Sequence, residues 1–444
     1  MTVVSFFFIT MKSSLQGTMS LFKPADGILR TNLSWDDLQE SVFEIFGKDA
    51  KFGPNKDAKD IGFASGFMSK ICLITPDWQT RMDGVPEKFV VKVSSQLSFI
   101  ECKGMFGDIE EEFSTEEFSR AMESEVKKIH NNEITLYKLL KKYDVSEVPR
   151  PKVYYTREFS EENPLKGFII MEYLADNLSL HIFDNLSPED ILQALHAIAS
   201  LEAASLKFTD EDKGLFMKNI FGEMFAKALT KENVKAALDL MRHAGGDRIK
   251  GNVDRLESIV SEIIDTELAD NLPDILGMKR VLCHGDMWST NIIWRKKGKG
   301  VELAALVDFQ TSHFGCPTTD VVRLLNACLS AKDRRENWES LLEKFYSFLK
   351  DEVGDNNQMP CTLEQLKQAY RLYFPLGAFM IVPMIGPLFS LANNSDDVEY
   401  KERVQELIFE KTEGLLEDIF EFYEKNKNTS SGTEAKENNG GLLL

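Results

Sequence analysis

Two short segments of this chain combine residue types that suit phosphoryl transfer. The first is His284-Gly285-Asp286-Met287-Trp288-Ser289-Thr290-Asn291, and Asp308-Phe309-Gln310 begins seventeen residues after its asparagine. The spacing places a candidate base, Asp286, and a candidate metal ligand, Asn291, on one tight loop, and Asp308 adds a second candidate ligand. Phosphoryl transfer depends mostly on positioning and charge neutralisation. A base near the acceptor hydroxyl and oxygen ligands for Mg²⁺ are therefore the parts that a sequence can show.

The elements around these segments are predicted to be short strands that end at the loops. Residues 280–283, 291–295 and 301–307 are apolar runs, and residues 296–300 form a lysine- and glycine-rich turn. Both carboxylates then lie where a strand ends. Either segment alone could be an ordinary turn or a strand cap, but the two together favour a phosphotransfer centre.

These residues also carry a family resemblance. The pattern His284-Gly285-Asp286-x-Trp288-x-x-Asn291-x-x-Trp294, with Asp308-Phe309-Gln310 and Cys316-Pro317-Thr318-Thr319-Asp320, resembles the aminoglycoside phosphotransferase and choline kinase superfamily. It is most similar to the ecdysteroid-kinase-like, choline-kinase-like proteins of insects and nematodes. The similarity extends from about residue 25 to about residue 423. It implies an α+β, bilobal protein-kinase-like fold, with a small β-rich N-lobe containing one long helix and a larger, mainly helical C-lobe.

The resemblance implies a glycine-rich turn between two strands that covers the nucleotide phosphates. Residues 61–74 are the candidate, although Ala64 stands where the family usually has a third glycine. A plain hairpin would also explain two glycines in a turn, but this turn precedes a strand, residues 89–93, with Lys92 inside an apolar alternation. The residues assigned to the phosphates are Gly62, Ser65, Gly66, Phe67, Ser69 and Lys92.

An inward-facing lysine needs a negative partner, which in kinases is the nucleotide phosphate and a helix glutamate. The alternative is an edge-strand lysine that reaches solvent. Residues 119–143 form a predicted helix, and Glu133 lies on its apolar stripe, four residues after Ile129 and four before Tyr137. A carboxylate buried there requires a cation, and Lys92 is the natural candidate. Glu125, on nearly the same face, is the alternative partner.

Residues 167–174 are predicted to form a buried strand followed by a connector. In the family this connector is the hinge, whose backbone groups meet the adenine edge, and Glu172, Tyr173 and Leu174 are the corresponding residues. A core strand with an exposed turn would have the same sequence.

Composition limits the classes of partner. The chain has 444 residues, a net charge of −19 and 43% hydrophobic residues, which favours a folded two-lobed protein over a disordered one. The negative charge argues against nucleic acid or an anionic membrane as the main partner. Six cysteines without a Cys-x-x-Cys pair indicate reduced thiols and a cytoplasmic protein. No segment is predicted to span a membrane.

The predicted organisation is a flexible extension over residues 1–25, an N-lobe and hinge over 26–174, a C-lobe over 175–425 and a disordered tail over 426–444. The predicted function is transfer of phosphate from ATP, with Mg²⁺, to a hydroxyl of a small molecule. Asp286 would act as base, Asn291 and Asp308 would hold the metal, Glu133 would fix Lys92, and His284 and Asp320 would brace the loops.

The resemblance suggests a steroid-like, lipid or detoxification substrate and no protein substrate. There are two alternatives. One is a choline or ethanolamine kinase, and the other is an inactive pseudokinase that binds a nucleotide or a partner.

Overall fold

The structure is a computed structural model that describes residues 21–62, 68–101, 116–178, 180–298, 300–355, 358–382 and 397–439. These residues form a smaller lobe built on an antiparallel sheet and a larger, mainly helical lobe. The predicted α+β, bilobal architecture is confirmed.

The smaller lobe is a five-stranded antiparallel sheet with the strand order β1-β2-β3-β5-β4. Alternating side chains of its central strands enter two different apolar clusters. Val91, Ile170 and their neighbours pack with helix α1, whereas Val90 and Ile169 pack in the cluster of the long helix α3. The elements of this lobe are β1 Asp57–Asp60, β2 Ser69–Thr75, β3 Phe89–Ser94, β4 Val153–Arg157, β5 Phe168–Glu172, α1 Trp35–Phe46, α2 Leu97–Glu101 and α3 Glu116–Lys142.

The larger lobe is organised around helix α4, which packs against α10 and against the strand β7. Ser187 caps α4 and Pro188 occupies its first turn, which are typical start signals. Its helices are α4 Pro188–Ser205, α5 Asp210–Lys213, α6 Ala226–Ala228, α7 Lys231–Ile263, α8 Thr266–Ile275, α9 Thr319–Cys328, α10 Ala331–Val353, α11 Leu363–Phe379 and α12 Val398–Asn439. Its strands are β6 Asn177–Leu178, β7 Val281–Cys283, β8 Ile292–Lys297, β9 Gly300–Leu306 and β10 His313–Gly315.

The three apolar runs predicted as strands are present and correspond to β7, β8 and β9. Strands β8 and β9 form a hairpin, and β7 pairs with β10 in antiparallel register. The loop that carries Asp286 follows β7, and Asp308 follows β9 after one residue. The predicted placement of both carboxylates at strand ends is therefore confirmed.

The chain ends depart from the predicted boundaries. Leu21 and Phe22 are buried, and the backbone N–H of Gln96 donates to the carbonyl of Leu21, so the N-lobe begins earlier than residue 26. At the other end, α12 continues to Asn439 through the predicted tail. Within that stretch Asn426 donates to the carbonyl of Arg371 at 2.8 Å. In the part of the chain that the structure describes, no helix has the length and apolar character required to span a bilayer.

Candidate active site

The loop after β7 holds the candidate base in a fully enclosed position. Asp286 is 1% exposed. Asn291 donates from its side-chain amide to the Asp286 carbonyl at 2.9 Å and to Asp286 Oδ2 at 3.0 Å. This leaves Asn291 Oδ1 as the amide oxygen that could bind a metal. The two motif residues thus form one rigid unit.

Asp320, at the start of α9, braces this loop as predicted. Its carboxylate accepts the backbone N–H groups of His284 at 2.6 Å and of Gly285 at 2.8 Å. Gly285 has φ of +83°, and a Cβ there would lie 2.4 Å from the Thr311 carbonyl oxygen, so only glycine fits. The ring of His284 contacts the Val307 carbonyl at 3.0 Å and thereby joins the loop to the strand that leads to Asp308.

Asp308 lies at the junction of the two lobes. Its backbone is left-handed, with φ of +67°, an uncommon conformation for a residue other than glycine. Its Oδ1 is 2.5 Å from Lys92 Nζ, which is also 2.5 Å from Glu133 Oε2. The predicted pairing of Lys92 with Glu133 is present. Glu125 instead pairs with Lys128 at 2.9 Å, so the alternative partner is not supported.

The electrostatics of this junction keep the lysine charged. Burial alone would lower the pKa of Lys92, but Asp308 and Glu133 together outweigh burial and raise the pKa above its ordinary value. Glu133 is 1% exposed, and Tyr137 donates to its second oxygen at 3.1 Å. The Glu133 carboxylate therefore has partners at both oxygens, as a buried charge requires.

Helix α3 also contacts the segment after Asp308, through a residue to which the sequence analysis assigned no role. The side-chain amide of Asn132 donates to the carbonyls of Gln310, at 3.1 Å, and Ser312, at 2.8 Å. Asn132 is the neighbour of Glu133, so one turn of α3 contacts both Lys92 and the segment after Asp308.

The sequence analysis also missed Arg323, which lies on α9 one turn after Asp320. Its Nη2 is 2.7 Å from Asp286 Oδ1, and the residue is 3% exposed. Burial raises the pKa of Asp286, and the Arg323 guanidinium opposes that effect. The sequence did contain a signal for this ion pair: Arg323 lies inside the apolar run Val321-Val322-Arg323-Leu324-Leu325. Arginine is almost never buried without a partner, so a buried acidic partner could have been expected.

The predicted nucleotide residues are only partly covered by the structure. Ser65, Gly66 and Phe67 lie outside the described residues, as does Ala64. Gly62 follows β1, and its N–H donates to Asp60 Oδ1 at 2.9 Å. Ser69 opens β2 and pairs with Ser94, two residues from Lys92 on β3, so Ser69 lies on the sheet face of Lys92.

The predicted hinge begins at Glu172, the last residue of β5. The N–H of Glu172 donates to the Lys152 carbonyl at 2.8 Å, so this amide is already used within the protein. Tyr173 and Leu174 come directly after the strand, and the Leu174 carbonyl accepts the Asn177 side-chain amide at 2.9 Å. The adenine-binding role of these three residues stays a prediction.

The donor set suits a hard divalent cation. Asp308 Oδ2 and Asn291 Oδ1 are carboxylate and amide oxygens, the ligand types that Mg²⁺ prefers. Among the described residues, no group of three or more His, Cys, Asp or Glu side chains could hold a metal by itself. A metal here would therefore be shared with phosphate oxygens of a nucleotide, as Mg²⁺ commonly is.

Comparison with known proteins identifies the family of this chain. A family model, DUF1679, described as "Uncharacterized oxidoreductase dhs-27", matches residues 21–427. The "Uncharacterized kinase-like protein D1044.1" of Caenorhabditis elegans is 24% identical over 242 residues, which are 54% of this chain and 61% of that protein. The "Uncharacterized oxidoreductase dhs-27" of the same organism is 24% identical over 285 residues, 62% of this chain and 33% of that protein.

The chain thus spans less than two thirds of each of these relatives. Among solved structures, a choline kinase from Cryptosporidium parvum Iowa II is 12% identical, with 86% of this chain and 97% of that chain covered and a TM-score of 0.44. The match to the family model covers nearly the whole chain. The chain belongs to the DUF1679 family.

Proposed function

We propose that this protein transfers the γ-phosphoryl group of ATP, with Mg²⁺, to a hydroxyl group of a small molecule. The observation that carries the proposal is the ionic chain from Glu133 through Lys92 to Asp308, which joins the lobes beside the Asp286 and Asn291 loop. Structural ion pairs also bury charges. Here, however, the groups that lie together are the proposed base, metal ligands and phosphate-binding cation that one reaction needs.

In this proposal each residue has a defined part. Phosphate oxygens of ATP would take the place of Asp308 as a partner of Lys92, and Asp308 and Asn291 would hold Mg²⁺, which would neutralise phosphate charge. Asp286 orients the acceptor hydroxyl and accepts its proton. A carboxylate has about four lone-pair positions, so Arg323 and Asn291 leave Asp286 able to accept a further hydrogen bond.

The acceptor is proposed to be a hydroxylated small molecule, with steroid-like and lipid alcohols first and amino-alcohols such as choline second. The kinase-like relative supports the reaction class. The oxidoreductase name belongs to a relative of which this chain covers 33%, so that name does not assign a reaction to this part. The cytoplasm is the proposed location.

The test is consumption of ATP by the purified full chain with Mg²⁺ against a library of alcohols, sterols and amino-alcohols. One acceptor class should raise ATP consumption above the acceptor-free rate, and Asp286→Asn should abolish this increase while it still binds ATP. ATP binding without acceptor-dependent turnover would favour a nucleotide-binding pseudokinase. Lack of ATP binding by the intact chain would refute the proposal.

A further inference from the structure

A cavity lies in the larger lobe, and its lining residues differ from those of the candidate active site. Its volume is about 900 Å³, within the range of pockets that bind small molecules. The lining comes from the end of α4, the segment around α5, the α8–β7 connection and β10. It includes neither the loop residues 284–291 nor Asp308.

The depth of this cavity is apolar. Ala203, Met278 and Val353 line it and are buried, at 5%, 6% and 6% exposure. Phe314 and Met217 line it and are only half-buried, so they present apolar surface to the open space. Phe216 packs edge-on against Phe314 with ring centroids 5.5 Å apart, which fixes the orientation of the Phe314 ring.

The rim carries positive charge. Five basic residues line the cavity against two acidic ones, Asp210 and Asp274, in a chain whose net charge is −19. Two of the five are paired, Lys213 with Asp210 at 3.9 Å and Arg280 with Asp274 at 2.5 Å. The other three are Lys207, Lys218 and Lys279.

These three lysines are exposed, and no carboxylate among the described residues lies within salt-bridge distance of them. An anion therefore finds at this rim three lysines that form no salt bridge with a described carboxylate, on a protein that repels anions overall. Glu147 attracts Lys207 only from beyond salt-bridge distance.

We infer that this cavity binds an anionic amphiphile, a molecule with one apolar chain and one carboxylate or phosphate head. The apolar part of the cavity would bind the apolar chain of the ligand, because transfer of apolar surface out of water is favourable. The head would remain at the exposed lysines. A small inorganic anion would leave the apolar depth unfilled, and an acidic peptide would need cations along its whole length rather than at one end.

The experiment is isothermal titration calorimetry of the full chain with decanoate and with decyl phosphate below their micelle concentrations. Both should bind. Decanol and acetate, which lack the head or the chain, should bind at least tenfold more weakly, and decyltrimethylammonium should not bind. Decanol binding as tightly as decanoate would overturn the inference, as would binding of acetate or inorganic phosphate alone.

Variants locate the binding site. Lys218→Glu with Lys279→Glu should weaken decanoate at least tenfold and leave ATP affinity unchanged, because neither lysine belongs to the candidate active site. Lys250→Glu with Lys344→Glu, two exposed lysines elsewhere, is the matched control and should bind decanoate like the wild type. Equal weakening by both pairs would indicate a general charge effect and refute the site. Competition between decanoate and ATP would place the ligand in the active site instead.

Discussion

At the scale of single residues, Arg323 and Asp286 form the most enclosed ion pair of the candidate active site. Their side chains are 4% and 2% exposed. The pair determines which direction Asp286 Oδ1 faces, and Asn291 does the same for Oδ2. A group that must accept a proton from one hydroxyl benefits from such restriction, because a small displacement of a reacting group can lower the rate greatly.

We predict that Arg323→Met destabilises the protein by about 3–5 kcal/mol, because removal of one partner leaves a buried charge unpaired. Asp286→Asn with Arg323→Met should be more stable than Arg323→Met alone. Chemical unfolding measures the free energy of unfolding of both variants.

Arg334→Met is the control, because it removes one of the two arginines that pair with Asp418 outside the site. It should lower the free energy of unfolding without lowering the turnover of the folded protein. Unchanged turnover in Arg323→Met would restrict Arg323 to a structural role.

A second residue-scale prediction concerns Asp308. With Asp308 and Asn291 as the proposed protein ligands of the metal, ATP should bind tightly with Mg²⁺ or Mn²⁺ and weakly in EDTA, and Asp308→Ala should remove this difference. Calorimetry of ATP binding decides the question. Asp351→Ala, an exposed carboxylate on α10, is the control. Equal affinity of the intact protein for ATP in EDTA and in Mg²⁺ would contradict the assignment.

At the scale of elements, helix α3 connects the N-lobe sheet to the segment after Asp308 through Glu133 and Asn132. We predict that Lys92 and Glu133 act as one unit. In a double-mutant cycle on kcat/KM for ATP, Lys92→Met with Glu133→Gln should therefore lower the value little more than Lys92→Met alone. Glu125→Gln, eight residues earlier on the same helix, is the control and should have little effect. Additive effects of the two changes would argue against the pair.

Helix α12 carries a buried lysine whose contacts predict a pH dependence. Lys411 Nζ donates to Asn185 Oδ1 at 2.6 Å and to the Leu329 carbonyl at 2.9 Å. Burial lowers the pKa of Lys411 to about 7 in the folded protein, whereas an unfolded chain has about 10.4. Between these pH values the unfolded state binds the additional proton, so stability should rise with pH, by up to ~1.4 kcal/mol per pH unit.

The comparison is urea unfolding of the wild type and of Lys411→Met at pH 7.5 and pH 9. The wild type should gain free energy of unfolding relative to the variant, because other titrating groups are common to both proteins. Below about pH 7 the difference should be constant, since the lysine is then protonated in both states. Parallel pH profiles would show that Lys411 keeps an ordinary pKa.

At the scale of the whole molecule, the architecture favours a small acceptor over a protein. Eleven residues separate Asp308 from Asp320, and they form a short 3-10 turn, strand β10 and the start of α9. Protein kinases need a much longer activation segment there as a platform for the peptide. We predict that labelled ATP offered with a peptide library and a small-alcohol library marks alcohols only. Efficient peptide labelling that disappears in Asp286→Asn would contradict this prediction.

The sequence by itself determined the local parts of the site. His284, Asp286 and Asn291 lie on one loop, and the apolar runs around them become strands because alternation and turn residues act over a few positions. The pairing of Lys92 with Glu133 was also predictable, since a carboxylate on a buried helical stripe needs a cation. The two lobes were predicted differently, from the family resemblance and from a chain length of 444 residues.

Only the tertiary structure decided how these parts meet. Lys92 and Asp308 are 216 positions apart, and Arg323 reaches Asp286 across 37, so no local periodicity relates either pair. Likewise, the backbone N–H of Glu172 donates to the carbonyl of Lys152, the residue before strand β4, which pairs with β5. Sequence patterns specify which side chains must be buried, but the folded backbone decides which charges are buried together, because that choice depends on how the lobes pack.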